Sequence, residues 1–433
     1  MKKCLQILLT LVFCNMSNVV VAAFENDSTK EQSALHDVHH LATMKLSVTG
    51  QIWLRYTELN PGSLVDGLYQ TSSTDLSIRR FRMAFSGDVT ERVYAKIQIG
   101  LNNFNDLSKS SEIRLLDLLA VYKLYDQLYL GLGKNGYTGP SRYASVASGA
   151  MLGADIPIFA LSTINISDDY LRKLSIFVKG DIGSFAYRLV LAKPNRIERS
   201  VDTQEETNFA RGNTEWQPSG YFKYQFLDKE GLTSAYMPGT YHGTKRILNL
   251  GIGFLTQDKA MSRMFLADTH YYRMNQWAVD LFADFPLNHR NSQSVTFYGA
   301  YFNTDFGPDY VRMIGANNPS IESDGSVYNG AGNMYPSIGT GKVYYCQIGY
   351  RFALPERFEH VRALQPYFHI QYADYERLNE PMKLYDIGIN LLFNGHRSKL
   401  TFGWQGRPVY EGIDHINVTN RKNMYVMQYQ FKL

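Results

Sequence analysis

The feature that most restricts this chain is strict alternation of apolar and polar residues. In residues 385–406, YDIGINLLFNGHRSKLTFGWQG, the apolar set Tyr385, Ile387, Ile389, Leu391 and Phe393 alternates with Asp386, Gly388 and Asn390, with Leu392 the one exception. A polar turn, Asn394-Gly395-His396-Arg397-Ser398, follows. The rhythm then restarts, with Leu400, Phe402 and Trp404 against Thr401, Gly403 and Gln405. Period-2 alternation across an Asn-Gly turn specifies a β-hairpin with one oily face and one small, polar face. The same pattern fills residues 45–56, where Leu46, Val48, Ile52, Leu54 and Tyr56 share a face and Ser47, Thr49, Gln51, Trp53 and Arg55 share the other. No helical period of useful length and no internal repeat accompanies it.

Read this way, the chain offers about sixteen strands, from residue 45 to its last residue. The pattern is weakest at 220–227 and in the segment after it, 228–245. Short connections follow even-numbered strands. Longer ones, rich in Gly, Ser, Asn and Asp, follow odd-numbered strands at 57–74, 102–111, 136–170, 194–219, 257–275, 304–341 and 406–422. Short turns at one end and long loops at the other are the asymmetry of a barrel in an outer membrane, with the turns in the periplasm.

The N-terminus agrees with export. Lys2 and Lys3 precede an apolar run from Ile7 to Phe13, and Val21-Ala22-Ala23 offers a cleavage site. Bulky Phe13 disfavours lipidation of Cys14. Loss of residues 1–23 removes two lysines and no acid, so the net charge of +4 falls to +2, which argues against nucleic acid as a partner. Cys4 and Cys14 leave with the signal, and Cys346 alone permits no intramolecular disulfide. A chain of this size must then be held by packing or by a bilayer. Beyond the signal no stretch is long and apolar enough for a membrane helix, and the mean hydropathy of −0.27 does not separate a soluble chain from a barrel in which only alternate residues meet lipid.

A soluble β-sandwich also alternates, with its oily face in the core. Two observations favour lipid. The polar faces mix Gly, Ser, Thr, Asn and Gln with charge, as a wet lumen does. Aromatic rings also gather at strand ends: Tyr56, Phe104, Tyr122, Tyr125, Phe285, Tyr375, Phe393 and Tyr410. The expected fold is all-β: a transmembrane antiparallel β-barrel of about sixteen strands, wide enough for a water channel. Its expected organisation is a signal peptide at 1–23, a periplasmic tail at 24–44 and the barrel at 45–433.

Several stretches carry a resemblance: IRRFRMAFSGDV (78–89), RKLSIFVKGDIGSFAYRLVLAKP (172–194), YFKYQFLDKE (221–230), NGAGNMYPSIGTGKVYYCQIGY (329–350), LQPYFHIQYADYERL (364–378) and YDIGINLLFNGHRSKL (385–400). They resemble the outer-membrane porins related to the phosphate-selective O/P type, in the branch seen in Bacteroidetes-like bacteria. The resemblance implies a sixteen-stranded trimeric porin with an in-folded loop narrowing the pore, for which 136–170 is best placed. It also implies insertion by the barrel-assembly machinery through the C-terminal strand. Two departures stand out. Asp117-Leu118-Leu119-Ala120-Val121-Tyr122 replaces the family's usual Asp-Ala-Tyr-Val-Glu-Tyr, losing a lumen acid, and the last residue is Leu433 rather than Phe.

Strand parity nominates the lumen charges: Arg55, Arg80, Arg82, Lys96, Lys173, Lys179 and Arg188, with Asp117, Asp280, Asp284 and Asp386. A cationic ring lowers the barrier for anions, and guanidinium forks suit phosphate or carboxylate. The plainer alternative is that Arg80 and Arg82 pair with lumen acids or with loop 136–170 and anchor it. His369, mid-strand, reads as a polar lumen histidine. His36, His39 and His40 would share a helical face, but a polar tail without a fourth ligand makes no metal site. Gly131 to Gly136 matches G-x-G-x-x-G, but a loop follows where a nucleotide site needs a helix, so the glycines relieve crowding. No nucleophile motif occurs, and neither an enzyme nor a cofactor is expected. The expected function is passive diffusion of small hydrophilic solutes, with an anion or phosphate preference as the sharper form. The alternatives are a plugged barrel displaying loops 136–170 and 304–341, and a soluble secreted β-protein binding carbohydrate.

Overall fold

The computed structural model describes residues 44–105, 112–194, 206–213, 215–232, 234–265, 268–288, 293–355, 357–358, 360–412 and 415–433. The expected signal peptide, nearly all of the tail, and His36, His39 and His40 lie outside the described residues. Lys45–Leu433 forms one unit. Its sixteen barrel strands are β1 (Lys45–Glu58), β2 (Ser72–Thr90), β3 (Val93–Phe104), β4 (Arg114–Tyr125), β5 (Leu128–Asn135), β6 (Lys173–Ile182), β7 (Phe185–Lys193) and β8 (Gln217–Gln225), then β9 (Ile247–Phe265), β10 (Asp268–Asn288), β11 (Gln293–Asp305), β12 (Gly341–Ala353), β13 (Ala363–Tyr375), β14 (Met382–Leu392), β15 (Ser398–Glu411) and β16 (Asn417–Lys432). The short strand Asn208–Phe209 prolongs β8 along β9, pairing with Ser262 and Met261.

Neighbours in sequence are antiparallel neighbours in space, and β16 pairs with β1 from Thr49↔Lys432 to Thr57↔Met424, closing the ring. Val48 and Leu433 exchange backbone hydrogen bonds, so the first and last strands end on one rim. Closure leaves no row of unpaired backbone groups, as hydrocarbon requires.

The two faces of the strands are partitioned in the opposite sense to a soluble sandwich. Leu46, Leu118, Ile176 and Ile252 are 56%, 50%, 52% and 54% exposed, whereas Gln51, Arg55, Asp117 and Gln430 are between 0% and 1% exposed. The oily residues line the outside and the polar ones the inside, which is stable only where acyl chains replace water outside.

Three expectations are corrected. Segments 257–275 and 406–422 are largely strand: β9 runs to Phe265 and β10 starts at Asp268, while β15 runs to Glu411 and β16 starts at Asn417. Beyond the bilayer both faces are wet, so the ladder continues while its alternation disappears. A bulge between Gln257 and Met261, with Lys259 at φ 51°, shifts the phase further. Tyr375 and Tyr410 are not interfacial. They point inward, almost wholly buried, and their hydroxyls donate to the carbonyls of Ser337 (2.8 Å) and Glu380 (3.0 Å). Finally, the segment joining β8 to β9 is no simple turn but enters the barrel from the turn end.

The interior is divided. Toward β9–β13 it holds an apolar core in which Tyr143, Val146, Met151, Ile158 and Phe159, all from the β5–β6 connection, pack among Phe282, Tyr298, Phe302 and Tyr345 of the wall. Toward β1–β4 the wall carries arginine and lysine instead.

Candidate functional site

The basic wall begins with a bulge. Gln51 pairs with Arg80 but Ile52 pairs with Ile78, so Arg79 is an extra residue in β2. It turns Arg79 inward beside Arg80, and both are buried from solvent outside the barrel. Parity alone places Arg79 on the lipid face, which is why the sequence did not nominate it. Asp155, from the β5–β6 connection, sits between the two. Arg79 Nη2 donates to its oxygens at 2.9 and 2.8 Å, and Arg80 Nη2 donates to Oδ1. Burial alone would raise the Asp155 carboxyl, but the two guanidinium groups outweigh it and hold it at about 2.

Arg82, two residues on, makes no ion pair among the described residues. Its Nη1 donates to the carbonyls of Phe81 and Leu101, each at 2.7 Å, and Nη2 donates to Asn102. Gly100 provides the room, since a Cβ there would lie 3.1 Å from Arg82 Nη1. Next along the wall is an acid between two cations. Asp117 accepts from Lys96 Nζ at 2.6 Å, from Arg172 Nε at 2.9 Å and from the Tyr236 hydroxyl at 2.5 Å. Lys96 and Arg172 also lie over the Tyr236 ring, at 4.7 and 5.1 Å.

Between this wall and the inserted segment lies a cavity of about 340 Å³. Arg79, Arg80, Arg82, Lys96, Arg172, Arg312 and Lys432 line it against a single carboxylate, Asp155.

Residues 136–172 are held in the lumen by bonds from all round the wall. Gln51 Nε2 and Gln430 Nε2 donate to Ser148 O and Gly149 O at 3.0 Å each. Lys399 Nζ donates to Met151 O at 2.9 Å, Asn390 Nδ2 to Leu152 O at 2.8 Å, and the Tyr143 hydroxyl to Gln347 at 2.8 Å. The loop-end connection 306–340 descends on the same wall. Arg55, paired with Asp75 at 2.7 Å, donates to Ala316 O at 3.0 Å.

The β8–β9 segment meets the inserted loop from the opposite end. Glu230 accepts from Arg142 at 3.0 and 2.6 Å, from Lys223 at 2.6 Å, from Asn249 at 2.7 Å and from the Tyr241 hydroxyl at 2.6 Å. Burial would raise this carboxyl, and Arg142 with Lys223 drives it far below its usual range instead. Met237 and Ser145 are joined through their backbones at 2.8 Å, so the two inserted segments form a continuous span.

The remaining nominated residues support these inserts rather than face the cavity. Lys173 Nζ donates to Thr163 (2.9 Å) and Gln217 (2.5 Å), and Lys179 Nζ to the Tyr137 hydroxyl (2.6 Å) and Leu232 O (2.5 Å). Arg188 reaches Ser141 O at 3.3 Å and Ala235 O at 3.5 Å. Asp280 accepts from the Arg142 amide at 2.7 Å and from the hydroxyls of Tyr221 (2.8 Å) and Tyr298 (3.1 Å). Asp284 accepts from Thr240, Thr296 and the amides of Tyr241 and Gly243 between 2.8 and 3.0 Å. His369 packs on Gly153, where a Cβ would come within 2.5 Å of the ring, and shares a small cavity of about 40 Å³ with Asp386 and Asp155. Sequence reasoning missed Arg79, Arg142, Asp155, Arg172, Glu230, Tyr236 and Arg312. For Lys432 a signal existed, since its neighbours Phe431 and Leu433 are on the oily parity.

No family model and no curated protein matches this chain. Solved structures do. OprB of Pseudomonas putida superposes with a TM-score of 0.54 at 11% identity, covering 93% of this chain and 96% of its own. The anion-selective porin of Comamonas acidovorans superposes with a TM-score of 0.50 at 10% identity, covering 90% of this chain and 99% of its own. At such identities the likeness is one of architecture: this closed sixteen-strand barrel has the outer-membrane porin fold.

Proposed function

We propose that the protein is a passive diffusion channel of the outer membrane that admits small hydrophilic solutes and prefers anions. The observation that carries this is the cavity beside β1–β4, where seven cationic side chains face one carboxylate. A pore needs no catalytic group; its physics is radius, wetting and the sign of the fixed charge. Even with Lys96 and Arg172 sharing Asp117 behind the lining, seven cations against Asp155 and Asp117 leave this wall net positive, which favours an anion. The arginine forks suit carboxylate and phosphate in particular. A porin of the same architecture, from C. acidovorans, is itself anion-selective.

The finer assignments belong to the same proposal. Residues 78–89, 364–378 and 385–400 support membership of the group related to the phosphate-selective O/P porins, with phosphate among the solutes. The same resemblance supports a homotrimer and insertion by the barrel-assembly machinery through β16. Residues 1–23 act as the cleaved signal and 24–44 as a periplasmic tail. The turn end, where β1 starts and β16 finishes, faces the periplasm.

The test is a planar-bilayer recording with a KCl gradient. Stepwise conductance with a reversal potential toward chloride is expected. A potassium-directed reversal would remove the anion preference. Absence of any conductance step would favour a plugged barrel.

A further inference from the structure

The inserted β8–β9 segment is held at its two ends by different chemistry. Near Glu230 it is clamped by two cations. At its tip, residues 240–244 at the turn-end rim, it is held by Asp284, which accepts from Thr240 and from the amides of Tyr241 and Gly243, and by a contact between His242 and His396. His242 and Gly243 both take positive φ, 55° and 74°, and for histidine this is a strained backbone.

His242 Nε2 lies 3.0 Å from His396 Nε2, with the ring centroids 4.1 Å apart. His396 Nε2 is also 2.9 Å from the Thr240 carbonyl. A carbonyl only accepts, so His396 carries its proton on Nε2, and the neutral pair is joined either by that proton on a His242 Nε2 lone pair or by His242 Nε2–H on His396 Nδ1, 3.3 Å away. His242 Nδ1 is buried with no hydrogen-bond partner among the described residues. A third proton on the pair would place a buried positive charge beside Lys399 and Arg351.

The charged groups around the pair are Asp284 of β10, Arg351 of β12, Arg362 of the β12–β13 turn, Lys399 of β15 and Lys432 of β16. Burial and the neighbouring cations hold both imidazoles below their usual value, His396 at about 3. At the far end of the same segment, Ser234 and Tyr236 line the basic cavity. Movement at the tip therefore reaches the constriction.

We propose that residues 234–245 form an acid-released strap. Protonation of the His242–His396 pair detaches the tip from the β14–β15 turn, and the strap withdraws toward the turn end and widens the channel. This rests on reading the barrel as a channel.

The test lowers the turn-end side from about pH 7 to about pH 4 in single-channel recordings, in the wild type and in a His242→Gln, His396→Gln variant checked for SDS-resistant, heat-modifiable folding. A conductance rise of about twofold in the wild type, absent from the variant, is expected. No rise in the wild type, or an equal rise in both, overturns the strap. Amide exchange of residues 237–245 in detergent gives a readout independent of conduction. Loss of protection on acidification in the wild type alone upholds the strap even if the barrel proves plugged. Protection that responds equally in both proteins overturns it.

Discussion

The wall formed by β1–β4 and the wall formed by β10–β13 obey the same alternation, yet they do opposite things. On one, Phe282, Tyr298, Phe302 and Tyr345 bury Met151, Ile158 and Phe159 of the inserted loop. On the other, Arg79, Arg80, Arg82 and Lys96 leave a cavity. The outer surface of the barrel does not distinguish them. What decides where the opening lies is which inward side chains can be desolvated by an insert. Aromatic rings gain from that contact, whereas guanidinium and ammonium groups lose hydration unless each finds a partner. The insert supplies one such partner, Asp155, and packs elsewhere.

The sharpest way to break this contrast is to weaken the filled side. Phe159→Ala removes a ring that meets Phe302 edge-on at 5.0 Å. Deleting a buried phenylalanine costs about 3–5 kcal/mol. The loop should loosen, read as a lower temperature of barrel melting in SDS gels and a larger, noisier conductance.

Asp155→Asn acts at the boundary between the two regions. It leaves Arg79 and Arg80 without their carboxylate, a loss of about 1–3 kcal/mol from stability. Chloride selectivity should rise, because the one acid on the cavity is gone. An unchanged reversal potential would show that Asp155 only anchors the loop.

Arg80→Ala with Arg82→Ala thins the basic wall itself. A unit charge at about 4 Å contributes about 1 kcal/mol in water, so losing two should lower the chloride-to-potassium permeability ratio by about thirtyfold. If the ratio stays put, these arginines position the insert and the selectivity resides elsewhere on the wall.

The smallest effect compares the constriction with the strap under acid. Asp155 titrates below its free value, so its contribution is whole above about pH 4 and disappears only as pH falls through about 2. His242 and His396 are bases held neutral. Their contribution is whole above about pH 6.5 and declines as pH falls below it, for His396 toward about 3. Between about pH 6 and 4, exchange protection should fall at residues 240–244 while the Arg79–Asp155–Arg80 clamp stays paired. Loss of exchange protection around Asp155 in that interval would mean that the constriction has no acid-resistant clamp.

Alternation alone yielded the barrel. It is a local property, read two residues at a time, and hydrocarbon admits one closed solution to it. The sequence therefore placed β1 and the hairpin β14–β15, and it put Arg55, Asp117 and His369 on the inner face. It lost the thread wherever the environment stops differing between faces, as in β9 and β10 beyond the bilayer, or where a bulge changes phase, as at Arg79. The constriction was beyond its reach. Asp155, Glu230 and Tyr236 lie in inserted segments without period, and they meet Arg79, Arg142 and Asp117 only because the closed ring brings distant strands within reach of one another. Which cations stay bare and which are neutralised is settled by those long-range contacts, because pairing depends on distance in space rather than separation along the chain.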